Sequence, residues 1–352
     1  MLGDGRNGDQ DELPGIQRSL PPDWWIYRGT GQVMSAEERD AKWPAPPPWR
    51  SFRGAPDLAA PELDEHEAQR RLGRVHAARS TDQAVLDRVN AAIALARPIL
   101  VTGRPGSGKS SLAYSISREL GLGRVLRWPI TSRTTLKSGL WDYDSFGRAQ
   151  AIGLNENSSI GNFVHLGPLG TALLPHKLPR VLLIDEIDKS DVDLPNDLLN
   201  VFEEGEFSIP ELIRVRDREA EVVVHTADTG RTAPVTDGVV QCHAFPLVVI
   251  TSNGERDFPP AFLRRCITLN IPDPSPKRLS EMVLAHFPNS DAELTEQLIR
   301  MFSDRSRKND GLAADQLLNA VHLIRPALNG QVDEATWRDL LDSIWHRLNS
   351  GS

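Results

Sequence analysis

The chain has 352 residues, enough for two or three compact units rather than one small core. Hydrophobic residues make up 39% and charged residues 25%, which is ordinary for a globular protein and argues against wholesale disorder. A net charge of -8 argues against a protein that coats nucleic acid, because phosphate binding needs clustered Lys and Arg. No run of 18 apolar residues occurs, and the Gly- and Asp-rich stretch from Met1 to Glu12 looks neither like a signal peptide nor like a membrane anchor. Cys242 and Cys266 lack metal-ligand spacing, so they read as buried or half-buried thiols in a reducing cytoplasm.

Residues 1–62 form a Pro/Trp-rich arm that holds four of the eight tryptophans, including Trp24-Trp25 and the run Trp43 to Trp49. Proline fixes φ and lacks an amide donor, so this stretch cannot make a long helix or a central strand. Two readings stay open: an extended arm whose aromatics pack on the body, or a docking segment for a partner. Its first 15 or so residues are expected to be disordered. From Leu63 to Arg97 the pattern is helical, with Val85, Val89, Ile93 and Ala96 on one face, Asp82 as a cap and Pro98 as a stop. Short apolar runs bounded by turn residues follow at Ile99–Thr102, Val125–Leu126, Val181–Ile184, Leu247–Ile250 and Ile267–Leu269. Separated by helices, they predict a parallel sheet covered on both faces. After Pro276 the pattern is all-helical, ending in Trp337, Leu340, Leu341, Ile344, Trp345 and Leu348 at helical spacing. The expected division is therefore 1–62, an α/β unit at 63–275 and a helical unit at 276–352.

The run Gly103-Arg104-Pro105-Gly106-Ser107-Gly108-Lys109-Ser110 follows the first apolar strand and opens a helix that continues with Ser111. It is a P-loop: glycines let amide N–H groups turn inward onto phosphate oxygens, Lys109 supplies charge, and Ser110 offers a hydroxyl to a metal ion. The helix start adds its positive end. This predicts binding of ATP with Mg2+. The strand Val181–Ile184 ends in Asp185 and Glu186, a pair suited to holding a metal ion through water and polarising an attacking water. Asn253, at the tip of the strand Leu247–Ile250, either positions that water or merely forms a turn before Gly254. Arg264 and Arg265 stand just before the last strand. A guanidinium near a γ-phosphate can raise the rate about 10³-fold or more, and arginines remote from their own P-loop can serve only a neighbour's.

Together these segments resemble the AAA+ ATPases, and more closely their MoxR-like branch, over roughly residues 70 to 350. Supporting stretches are Tyr143–Arg148, Gly167–Gly170, Asp185-Glu186-Ile187-Asp188-Lys189, Asp193–Asn200 and Ala261–Cys266. The resemblance implies an α/β fold with a five-stranded parallel sheet, a small all-helical lid and a ring, usually hexameric, with ATP between subunits. It further implies that Asp185 and Glu186 form the Walker B pair, Asn253 is sensor 1, and Arg265, with Arg264 second, is the arginine finger. Residues 138–170 and 211–246 take the places of two family inserts, the second expected as a β-ribbon using Val222–Val224 and Val239–Val240. The chain departs from the family pattern at Gly311–Leu318, where a sensor 2 arginine is absent; Arg305, Arg307 or Lys308 would have to substitute. Family members remodel or activate protein clients, among them von Willebrand A-domain proteins and effectors. The implied activity is therefore an ATP-hydrolysing, cytoplasmic remodelling machine. The alternative is a slowly hydrolysing switch or scaffold, possible in a conflict or defence system.

Overall fold

The computed structural model describes residues 24–73, 82–154, 159–308, 312–326 and 334–345. The tail expected to be disordered, Gly311 and Leu348 lie outside these ranges, as do the side chains of Arg307, Lys308 and Trp337. Among the described residues three α-helices precede the first strand: α1 (Ala36–Lys42), α2 (Glu65–Leu72) and α3 (Gln83–Leu95). Asp82 caps α3 by accepting from the Ala84 N–H. Val89 and Ile93 are buried as expected, whereas Ala96 is not on the helical face but takes the left-handed position that ends the helix, with φ 48°.

The α/β core then runs β1 (Ile99–Thr102), α4 (Ser111–Glu119) and β2 (Leu126–Pro129). Next come α5 (Leu136–Leu140), β3 (Trp141–Tyr143), α6 (Ser145–Gly153), β4 (Val164–Leu166) and α7 (Pro168–Ala172). They are followed by β5 (Val181–Asp185), α8 (Leu194–Glu204), β6 (Glu206–Ser208) and α9 (Pro210–Ile213). The unit closes with β7 (Glu221–His225), β8 (Thr232–Thr236), β9 (Val239–Gln241), β10 (Leu247–Ser252), α10 (Pro260–Leu263) and β11 (Ile267–Asn270). Five of these strands form an all-parallel sheet in the order β11-β1-β10-β5-β2. Alternation along each strand splits its side chains between two cores. Leu100, Leu182, Ile184, Val248 and Ile250 pack against α7 and α8, while Ile99, Val101, Leu183 and Val249 pack against α3, α4 and the arm residues Ile26, Tyr27 and Met34.

The two insert regions do not stay separate. Their strands join in a second sheet, ordered β3-β4-β7-β8-β9-β6 and antiparallel except at β4·β7. The expected ribbon of Val222–Val224 with Val239–Val240 is thus corrected to a three-strand meander, because β8 lies between β7 and β9. Strands of three to five residues with one exposed face carry too little apolar pattern to announce such a sheet. It is tied to the core by a buried bidentate pair, Arg180 Nη1 and Nη2 to the Asp228 carboxylate at 2.7 and 2.9 Å.

After β11 come α11 (Pro276–His286), α12 (Ala292–Lys308), α13 (Ala314–Pro326) and α14 (Glu334–Ile344). Leu279, Val283, Phe302, Leu317, Leu341 and Trp345 make their shared core. In the final segment Leu341 and Trp345 face that core, but Leu340 is exposed, so the apolar face is narrower than the spacing predicts.

His176, between α7 and β5, is almost fully buried, and burial together with Arg180 pushes its pKa down to about 4. The unfolded chain takes up this proton near 6.5, so stability is full above that pH and falls as pH drops toward about 4, by up to about 3 kcal/mol. We expect His176→Gln to flatten the stability curve across that window in urea denaturation. An unchanged slope would show that the imidazole does not control it.

Candidate functional site

The loop between β1 and α4 has the backbone that an anion cradle requires. Gly103, Gly106 and Gly108 sit at φ 150°, 76° and 90°, values that L side chains rarely adopt. At Gly106 the constraint is double, because a Cβ would lie 2.5 Å from the Ala313 Cα at the start of the lid helix α13. Lys109 is buried, with Nζ donating to the carbonyls of Gly103 at 2.7 Å and Arg104 at 2.8 Å. Burial lowers its pKa, against the pull of Asp188, Asp185 and Glu186. Ser107 is buried too, and its Oγ has no partner among the described residues. A buried ammonium and an unsatisfied hydroxyl beside three positive-φ glycines fit a phosphate group. At the rim, Arg104 is exposed and pairs with Asp273 at 3.4 Å, and Pro105 is exposed as well.

Asp185, at the tip of β5, joins three elements. Its Oδ1 accepts from Ser110 Oγ at 2.7 Å and from Thr251 Oγ1 at 2.9 Å, and its Oδ2 accepts from Arg127 Nη2 at 2.9 Å. Burial works against ionisation, but the bonds from Ser110, Arg127 and Thr251 prevail and hold the carboxyl below its ordinary pKa. Ser110 and Asp185, both expected to serve a divalent cation, are thus in contact. Arg127 was not among the expected residues. Its only sequence signal is the alternation of β2, whose outward positions include it.

Glu186 follows in the left-handed region at φ 63°, a conformation unfavourable for a long side chain and common where function fixes the backbone. Its N–H donates to Thr251 Oγ1 at 2.9 Å, and its carboxylate accepts from Lys189 Nζ at 2.8 Å. Asn253 lies on the neighbouring strand tip. The buried Asp188 carboxylate receives the N–H of Asn253 at 2.8 Å and that of Glu255 at 3.3 Å, which fixes the loop carrying Asn253. Arg256 secures the other side, donating to the carbonyls of Ile187, Ser190 and Asp191. Asp188 and Lys189 lay inside the recognised Asp185–Lys189 run, but nothing in their spacing showed which atoms they hold.

The two arginines before β11 lie elsewhere. Ile267 of β11 pairs with Ile99, at the opposite end of the sheet from Thr102, where the P-loop begins. Three steps along the strand separate the two ends, roughly 10 Å at about 3.3 Å per residue. Arg265 Nε binds Glu203 at 2.5 Å and Nη1 binds the Ala261 carbonyl, whereas the Arg264 side chain is exposed and held by nothing among the described residues. Of the residues considered as sensor 2 substitutes, Arg305 is committed within the lid, paired with Asp342 and over the Trp345 ring. The α13 start meets the P-loop instead through Ala313 and Ala314, whose small side chains allow direct backbone contact with Gly106.

Residues 98–266 match the family described as AAA domain (dynein-related subfamily). No curated protein matches the sequence. Matching solved structures include NtrX from Brucella abortus in complex with ADP, at 14% identity and a TM-score of 0.41. That alignment covers 77% of this chain and 56% of the NtrX chain, so the protein spans just over half the length of that relative. The AAA-domain match and the five-stranded all-parallel sheet give the fold as an AAA+ P-loop domain, followed by a small helical unit. Among the described residues no helix is long and apolar enough to cross a membrane.

Asp188→Ala would leave the N–H groups of Asn253 and Glu255 without their acceptor. We expect a loss of about 1–3 kcal/mol in urea denaturation, with Asp188→Asn recovering part of it. A loss below about 0.5 kcal/mol would mean that the loop finds another acceptor.

Proposed function

We propose that this AAA-domain protein hydrolyses ATP at a site made by two copies of the chain. The observation that carries the reading is the hydrogen bond from Ser110 to Asp185 beside the buried Lys109, which unites the P-loop with the acidic strand tip. In this reading Gly103 to Ser111 hold the phosphates, and Lys109 turns its ammonium from loop carbonyls to the β- and γ-phosphates. Ser110 and Asp185 would hold Mg2+, which neutralises charge developing on the phosphates when bound. Glu186, released from Lys189, accepts the proton of the attacking water, and Asn253 orients that water. Arg265, or the freer Arg264, reaches the γ-phosphate of the neighbouring copy, since both stand at the far end of their own sheet.

We further place the chain in the MoxR-like branch, as a cytoplasmic ring, usually a hexamer, that turns hydrolysis into remodelling of a protein client. The second reading is a slowly hydrolysing switch or scaffold. One observation favours it: small alanines, rather than an arginine, occupy the lid start beside the P-loop.

The wild type is expected to turn over ATP with magnesium, and Glu186→Gln to bind ATP while losing about 10²-fold or more in kcat. Binding with negligible wild-type turnover at high protein concentration would favour the scaffold. Mixing Lys109→Ala with Arg265→Ala chains is expected to restore part of the activity, because some interfaces then combine an intact loop with an intact finger. Absence of rescue in assembled mixtures, also with Arg264→Ala, would exclude a shared site.

A further inference from the structure

We infer that the N-terminal arm, through residues 26–31, forms the wall of the nucleotide site that receives the base and ribose, and so takes part in choosing the ligand. The inference rests on the reading of the P-loop as a nucleotide site.

A cavity of about 350 Å³ opens beside the P-loop, at the lower end of the range for small-molecule sites. Ser107, Gly108 and Ser111 line it where it meets the phosphate cradle. Its apolar surface comes from Val85, Leu112, Ile271 and Met282, and Asp82 and Glu281 add carboxylates. This continuity with the cradle and the mixture of apolar and acceptor groups suit a purine nucleoside whose phosphates lie on Lys109. The arm contributes a further stretch of wall through Tyr27, Gly29 and Gly31, beside the cationic side chains of Arg71, Lys277 and Arg278.

That wall is built into the body. Asn90 of α3 accepts from the N–H groups of Ile26 and Tyr27 at 2.9 and 3.0 Å and donates to the Tyr27 carbonyl at 2.8 Å, pairing like a strand neighbour. Next, Arg28-Gly29-Thr30-Gly31 curls around the Glu119 carboxylate, with N–H distances of 2.6 Å from Arg28, 3.0 Å from Gly29 and 3.0 Å from Gly31. Gly29 and Gly31 lie at φ 66° and 73°, which lets successive amides face one anion. Glu119 is buried and ends α4, the same helix whose start follows the P-loop. One helix therefore carries the phosphate cradle at one end and the anchor of the base-side wall at the other.

The test compares two probes, Mg-ATP and Mg-tripolyphosphate, by calorimetric titration of the full chain. Tripolyphosphate engages the cradle alone, so the ratio of the two affinities reports the base and ribose contacts. Glu119→Ala removes the arm's anchor, and Gly31→Asn adds a side chain to the wall while keeping a residue that tolerates positive φ. Each variant is expected to weaken Mg-ATP about tenfold and to leave Mg-tripolyphosphate unchanged. If Glu119→Ala does not fold, Gly31→Asn alone decides. Equal effects on both probes, or none on either, would overturn the role of the arm, as would a wild type that binds ATP no tighter than tripolyphosphate. A wild type that binds neither would overturn the nucleotide reading itself.

Discussion

A parallel sheet buried on both faces leaves only its two ends for chemistry, and that constraint organises the molecule. Pairing of Thr102 with Ser252, Ile184 with Ile250 and Pro129 with Asp185 brings the carboxyl ends of four strands level. The loops leaving that edge therefore converge whatever their separation in sequence. Asp185 is where they meet, because a carboxylate this buried must find donors, and it finds them on the P-loop, on β10 and on β2. Were one donor lost, the burial that now opposes its charge would gain ground, and the geometry of Ser110 would loosen with it. The same pairing carries Arg264 and Arg265 to the opposite end, away from the P-loop of their own chain.

Further segments are held on the body by the same economy of buried polar groups. The arm satisfies Asn90 and Glu119, and its Arg50 donates to carbonyls at the ends of α3 and α8 while lying over the rings of Phe52 and Phe245. Burial lowers the pKa of Arg50, yet those acceptors keep its charge useful as a clasp. The lid approaches from the other side, and the contact of Ala313 with Gly106 makes the cradle's shape depend on where the lid sits. Arm, cradle and lid are thus neighbours around one cavity.

The central strands and the P-loop were legible because their signals are local. Ile99–Thr102, Val181–Ile184 and Leu247–Ile250 are uninterrupted apolar runs, and three glycines with Lys109 and Ser110 leave few other structures open. Asp185 and Glu186 could be placed because they end such a run. The second sheet was not legible, since β3, β6 and β9 have three residues each and depend on partners far away in the chain. Arg127, Asp188 and Arg256 escaped for a related reason: their roles lie in contacts across 58 to 69 residues, which no local pattern records. The arm was read from its prolines and tryptophans, yet what seats it is Asn90 and Glu119, two polar residues inside helices whose periodicity draws attention only to their apolar faces.

Two groups assigned to hydrolysis are held by ion pairs within the chain, Glu186 by Lys189 and Arg265 by Glu203. Taken alone, such contacts argue for a resting scaffold. Their magnitudes remove that argument. All four side chains are between 36% and 47% exposed, and pairs that exposed contribute only about 0.2–1 kcal/mol each. Releasing either costs no more than about a fivefold change in population, small beside the interactions a triphosphate makes in a buried cradle. These pairs park the side chains without locking them. What separates an active enzyme from a scaffold must therefore lie in the buried contacts, where Asp188 fixes the Asn253 loop and the lid start presses on Gly106.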